Sequence, residues 1–156
     1  MFVELQVDGE DLSYNIEEQL NFDTDSIPKA LEKQSGLVSW WGHLLSTKQM
    51  EYKNFKAKVE VELAKLEKSI RLDPGLATTY GKVTESVISA EVKMHPDYIR
   101  FQEELNELER QVGYLRSMVN GFESRTTILA TAGSLRRSEI EANIRSLVNR
   151  TKESHS

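Results

Sequence analysis

Between Lys48 and Arg71 seven cations (Lys48, Lys53, Lys56, Lys58, Lys65, Lys68 and Arg71) stand against four acids (Glu51, Glu60, Glu62 and Glu67), a net of +3. Lys82 and Lys93 follow, so Lys65, Lys68, Arg71 and Lys82 flank a segment rich in Gly, Thr and Tyr. Cations neutralise phosphates, and Tyr80 offers a ring on which a base can stack. Together they suit a single-stranded nucleic acid. Lys65, Lys68 and Arg71 fall at i, i+3 and i+6, close enough around a helix for long side chains to reach one phosphate track. Arg136 and Arg137 offer a second basic edge. The plainer reading, a lysine-rich helix that is only solvated surface, stands beside this one.

Catalytic groupings are scarce. The chain has no cysteine, which removes disulfides, thiolate metal sites and a cysteine nucleophile. His43, His95 and His155 are far apart, and none has a second ligand at helical metal spacing. Gly36 to Gly42 lacks the Gly-Lys-Ser/Thr ending of a phosphate loop. Glu103, Glu104, Glu107 and Glu109 imitate a carboxylate metal site but read better as the solvated edge of a coiled coil. Asn149-Arg150-Thr151 matches a glycosylation acceptor, which has no meaning in a cytosolic chain. No enzyme, metal or cofactor is expected.

The elements that must position these groups are helices. Apolar residues make up 38% and charged residues 29% of 156 residues, lean for a globule and typical of long helices that bury a narrow stripe. Phe2 to Val7 alternates imperfectly into Asp8-Gly9, and Leu12, Tyr14 and Ile16 continue at period two. Residues 2–22 therefore read as a short hairpin or extended arm that needs something to lie against. From Asp25-Ser26-Ile27-Pro28, a helix start, Leu31, Val38, Leu45, Tyr52, Val59 and Leu66 recur every seven residues. Trp41, Phe55, Leu63 and Ile70 form a second row. This helix should stop near Leu72, before Asp73-Pro74-Gly75. Residues 73–83 read as a loop, then a short helix from Thr84 to Met94, capped by Thr84, with a break and restart at His95-Pro96-Asp97.

The last long helix has the best periodicity. Tyr98, Phe101, Leu105, Leu108, Val112, Leu115, Val119, Phe122 and Leu129 follow a three-four alternation interrupted only at Thr126. Gly133-Ser134 should end it, and Ser138-x-x-Glu141 should open a final helix bearing Ile140, Ile144, Leu147 and Val148 on one face. The expected fold is mainly α: a long antiparallel, coiled-coil-like hairpin with a short connecting helix, a C-terminal helix and a small N-terminal arm. Its parts are an acidic arm over 1–26, a hairpin core over 27–133, and a C-terminal helix with a frayed tail over 134–156.

Two long helices leave Trp40, Trp41, Leu37, Leu44 and the final helix uncovered. A homo-oligomer built on Trp40, Trp41, Ile140, Ile144, Leu147 and Val148 is the natural remedy. Charge is uneven as well. Residues 1–26 hold eight acids and no Lys or Arg, leaving 17 acids against 20 bases beyond, so an acidic arm precedes a body of net +3 in a chain of net −5. No apolar run approaches the roughly 20 residues of a membrane span, and the acidic N-terminus is unlike a signal peptide. A cytoplasmic protein with no membrane partner is expected.

Three features resemble the recombination mediator proteins of tailed phages, the UvsY type. One is Val38-Ser39-Trp40-Trp41 followed by Leu44-Leu45. Another is Leu66-Glu67-Lys68-Ser69-Ile70-Arg71-Leu72-Asp73 running into a Gly-containing loop. The third is Lys82-Val83-Thr84-Glu85-Ser86-Val87-Ile88-Ser89-Ala90-Glu91 leading to Asp97-Tyr98 and a long helix. In this order they cover roughly residues 27–135. The resemblance implies a small helical protein that assembles into a ring, binds single-stranded DNA and helps load a RecA-like recombinase against competition from single-stranded-DNA-binding protein. It implies an infected bacterial cell as the setting. It places the DNA contact near the end of the first helix, here Lys65, Lys68, Arg71 and, across the loop, Lys82. The acidic arm and negative net charge depart from the family pattern. A coiled-coil structural or assembly-chaperone protein of a phage, with no nucleic-acid role, explains the heptads equally well. An adaptor for a partner helix is a third reading.

Overall fold

The computed structural model describes residues 2–7, 10–21 and 26–153. The chain is mainly α, as its periodicity requires. Its elements are β1 (Phe2–Val7), β2 (Glu10–Asn15), α1 (Ile16–Leu20), α2 (Ile27–Arg71), α3 (Pro74–Tyr80), α4 (Glu85–Met94) and α5 (Pro96–Glu153). They divide into two compact units, Met1–Leu44 with Leu115–Ser156, and Leu45–Tyr114.

In the first unit β1 and β2 pair antiparallel from Phe2↔Asn15 to Val7↔Glu10; the Asp8-Gly9 turn lies outside the described residues. Asp11 and Ser13 are exposed while Leu12 and Tyr14 are half-buried, the period-two alternation of a strand with one covered face. Tyr14 sets its ring edge on Trp41, with centroids 4.8 Å apart. Ile16, read as a strand residue, instead opens α1, because the Asn15 side chain accepts the Glu17 N–H at 3.2 Å and Glu17 and Glu18 occupy the first turn. Leu20 of α1 lies over Gly121, where a Cβ would approach its Cδ2 to 3.3 Å. Glycine leaves that side chain room.

The core of this unit is Trp41, Leu44, Leu115, Met118, Phe122 and Leu129, with Ile27 at one end. Trp41 stacks on Phe122 at 5.9 Å, Gln34 bonds Phe122 and Thr126, and Ile27 and Leu31 face Gly133. Rising numbers on α2 meet falling numbers on α5, so the two segments run antiparallel. The buried row of α2 includes Ile27, Gln34, Trp41 and Lys48, seven apart, rather than the Leu31–Leu66 row of the sequence reading. Leu31 is exposed and only Val59 of that row is fully buried. Polar residues at two seam positions hid the true row.

Gln34 is 3% exposed and fully used. Its Nε2 donates to the Phe122 carbonyl (2.6 Å) and to Thr126 Oγ1 (2.9 Å), and its Oε1 accepts from Arg125 Nη1 (2.6 Å). Arg125, also buried, lies one residue before Thr126, where the apolar alternation breaks, and burial pushes its pKa down. Buried amides and guanidinium groups survive only with partners of this kind.

Two expected boundaries fail. The first is the stop at Gly133-Ser134, since α5 continues to Glu153 as one helix. A helical glycine costs only about 1 kcal/mol relative to alanine, and the flanking Leu, Arg, Glu and Ala residues are good helix formers. Ser138 Oγ donates back to the Ser134 carbonyl at 3.2 Å, an interior helix contact rather than an N-cap. The C-terminal segment 134–153 is therefore helical but not a separate helix.

The second lies in the other unit, where 73–83 is largely helix rather than loop. Asp73 ends α2 and caps α3, its Oδ1 accepting the Gly75 N–H at 2.8 Å, with Pro74 in the first turn where it needs no N–H partner. Gly81 stops α3 at φ +73, a conformation glycine adopts without strain. Thr84 occupies the N-cap position of α4 but makes no side-chain cap bond; its hydroxyl meets Ser86 Oγ at 2.8 Å. His95 Nδ1 accepts the Asp97 N–H (3.2 Å) where α5 begins. Leu76, Ile88, Leu108 and Val112 are buried, and Phe55 meets Phe101 edge to face at 6.4 Å.

Candidate nucleic-acid interface

The cations singled out by sequence belong to one unit but not to one free patch. The last turns of α2 carry Lys65, Lys68 and Arg71. Lys65 is well exposed, and its Nζ contacts Glu62 Oε1 at 2.9 Å. Arg71 Nη2 is held by two carboxylates, Glu67 at 2.7 Å on its own helix and Glu85 at 3.0 Å on the first turn of α4. That clasp joins two elements and largely cancels the charge of Arg71. Lys68 and Lys82 are exposed and make no ion pair among the described residues. The same holds for Lys53, Lys56 and Lys58 on α2. Lys48 is withdrawn altogether. It is 3% exposed, with its Nζ on Glu51 Oε2 at 2.6 Å, so it belongs to the core rather than to a polyanion surface.

Tyr80 closes α3 with its ring half exposed, and its hydroxyl donates to Glu91 Oε1 at 2.6 Å. That hydrogen bond, and the negative charge behind it, raise the phenol's pKa above its ordinary value. The ring borders an open cleft of about 540 Å³ with Leu66, Ile70 and Leu76 as its apolar wall and Glu91 and His95 among its polar groups. Lys68 and Arg71 lie at least 100° around α2 from every α2 helix residue lining this cleft, given 100° per residue. Tyr80 and the Lys68–Arg71 edge therefore serve different faces of the unit. Sequence spacing puts them together only if 73–83 is a loop, and helix α3 occupies most of that stretch. Glu91, His95 and Asp73 were missed as site residues; each is unremarkable until α3 and α4 are folded.

The residues expected to mediate assembly also divide. Trp41 is 0% exposed, sandwiched by Tyr14 and Phe122, and Leu44 is buried with it, so neither is available to another molecule. Phe122 of α5 on one side and Tyr14 of the arm on the other cover Trp41. Trp40, one step around α2, keeps about half its surface. Ile140, Ile144, Leu147 and Val148 are all exposed, with Leu135, and every residue from 134 to 151 is exposed.

Glu107 is committed to Arg110 (2.6 and 2.8 Å) and to Gln111 (2.8 Å), which hold its carboxyl below the ordinary glutamate range. No group of three His, Cys, Asp or Glu suited to a metal ion occurs among the described residues. Among them, too, no helix is long and apolar enough to cross a membrane. Comparison with family models, with curated proteins and with solved structures finds no match to this chain.

Proposed function

We propose that the protein is a single-stranded-DNA-binding recombination mediator. It assembles into a homo-oligomeric ring and helps a RecA-like recombinase displace single-stranded-DNA-binding protein. The observation that carries the reading is that exposed lysines, Lys53, Lys56, Lys58, Lys68 and Lys82 among them, make no ion pair among the described residues and lie within one unit of 70 residues. Each phosphate contact is weak and sensitive to salt. Repeating the set around a ring multiplies weak contacts into stable binding through effective concentration. The exposed apolar end of α5, with Ile140, Ile144, Leu147 and Val148, supplies the surface for that assembly. Lys68 and Lys82 bear the phosphate contact, Lys65 contributes once it releases Glu62, and Arg71 acts mainly as a clasp. Titration of fluorescent single-stranded oligonucleotides at low and moderate salt tests this directly, and no binding at low salt would overturn it.

The rival reading, a coiled-coil structural or assembly protein, draws support from the same ion pairs. Lys65 and Arg71 are already neutralised by the chain's own acids, which a purely structural helix would equally show. Under that reading the salt titration is flat at background.

A further inference from the structure

The cleft beside Tyr80 is lined mainly by acceptors. Its hydroxyls have spent their protons, Ser69 Oγ on the Leu66 carbonyl (2.8 Å), Thr79 Oγ1 on the Gly75 carbonyl (3.0 Å) and Tyr80 on Glu91 (2.6 Å). What they still offer is lone pairs. Asp73 uses Oδ1 to cap α3, and Glu91 uses Oε1 for Tyr80, so each keeps its second carboxylate oxygen uncommitted. Among the lining side chains His95 brings the one nitrogen-bearing ring, and its Nδ1 accepts the Asp97 N–H. Two carboxylates, hydroxyl lone pairs, an aromatic ring and an apolar wall exclude a phosphate and match a guanidinium on its methylene stem. Leu72 (71% exposed) and Met94 (61% exposed) are exposed apolar side chains of the same unit, next in sequence to the lining residues Asp73 and His95.

The chain itself carries the complementary group. Arg136 is exposed and has no ion-pair partner among the described residues. It precedes Ile140, Ile144 and Leu147 at helical spacing, so charge and apolar stripe share one face of α5. We propose that the cleft of one copy receives Arg136 of a second copy, with the Ile140–Leu147 stripe laid against Leu72 and Met94. Such a contact joins unlike surfaces, so it repeats head to tail and closes into a ring or runs on as a filament. This rests on the proposed self-assembly and assigns it a specific pair of surfaces.

The test is native mass and dilution analysis of the full chain, with circular dichroism to check folding. Arg136→Glu and Glu91→Lys, each alone, are expected to raise the dissociation midpoint at least ten-fold. The double variant, which reverses the pair, is expected to restore it to within about three-fold of wild type. If Glu91→Lys fails to fold, Glu91→Gln and Arg136→Ala take its place, with the same loss expected and less than additive effects in combination. Butylguanidinium should shift the Glu91 and Thr79 amide resonances and promote dissociation, whereas its neutral isostere butylurea should not. An assembled wild type indifferent to Arg136→Glu would overturn the proposal and leave self-assembly standing. A wild type that stays at 17.9 kDa would instead overturn the assembly reading. Butylguanidinium binding without any effect of the variants on mass would reject a second copy as the source of the arginine.

Discussion

Replacing Gln34 with alanine deletes two donors and the acceptor of Arg125 Nη1 at a site 3% exposed. Lost packing and a weakened buried network should cost about 2–4 kcal/mol. Urea unfolding should show the midpoint fall with an unchanged slope. Glu107 gives a pH signature of known sign. Its folded pKa lies below the unfolded value of about 4.3, so the stability it contributes is present above that value and is lost as pH falls through the folded pKa. Carbon-detected titration should place Glu107 below the ordinary range in the wild type and higher in Arg110→Ala. At this scale little was legible in sequence. Gln34, Lys48 and Arg125 occupy core positions with polar side chains, and a polar residue in an apolar row reads as a gap until its partner is known. The pairing of Arg71 with Glu85 was equally hidden, because 14 residues and two helix ends separate them.

Elements were read more successfully. The start of α2 near Ile27, its end before Asp73, the short α4 and the restart at Pro96 all follow from caps and prolines visible in the sequence. The failures share one cause, local signals weighed without their surroundings. Pro74 was read as a terminator although it can equally open a helix, and Gly133 as a stop although nothing there demands a positive φ. Gly133→Ala tests the second point. The new Cβ would meet Ile27 Cγ2 and Leu31 Cδ1 at 3.8 Å, ordinary contact distance. With helix propensity added, thermal unfolding should show stabilisation of about 0.5–1 kcal/mol. Had α5 ended at Gly133 in a left-handed cap, the same change would destabilise.

At the scale of the whole molecule, the exposed run from 134 to 151 is the feature that a single chain leaves unexplained. Removing residues from 134 onward should reduce the assembly to smaller species by light scattering while leaving the buried core from Ile27 to Leu129 folded. The central claim is that exposed lysines, repeated around an assembly, hold a single strand. It is tested most directly by the salt dependence of oligonucleotide binding for the wild type and for Lys68→Ala/Lys82→Ala. Each lost phosphate contact per subunit should flatten the log–log slope by about 0.7, with affinity falling alike for all sequences and with assembly mass unchanged. Equal affinity and equal slope for the two proteins would contradict the account.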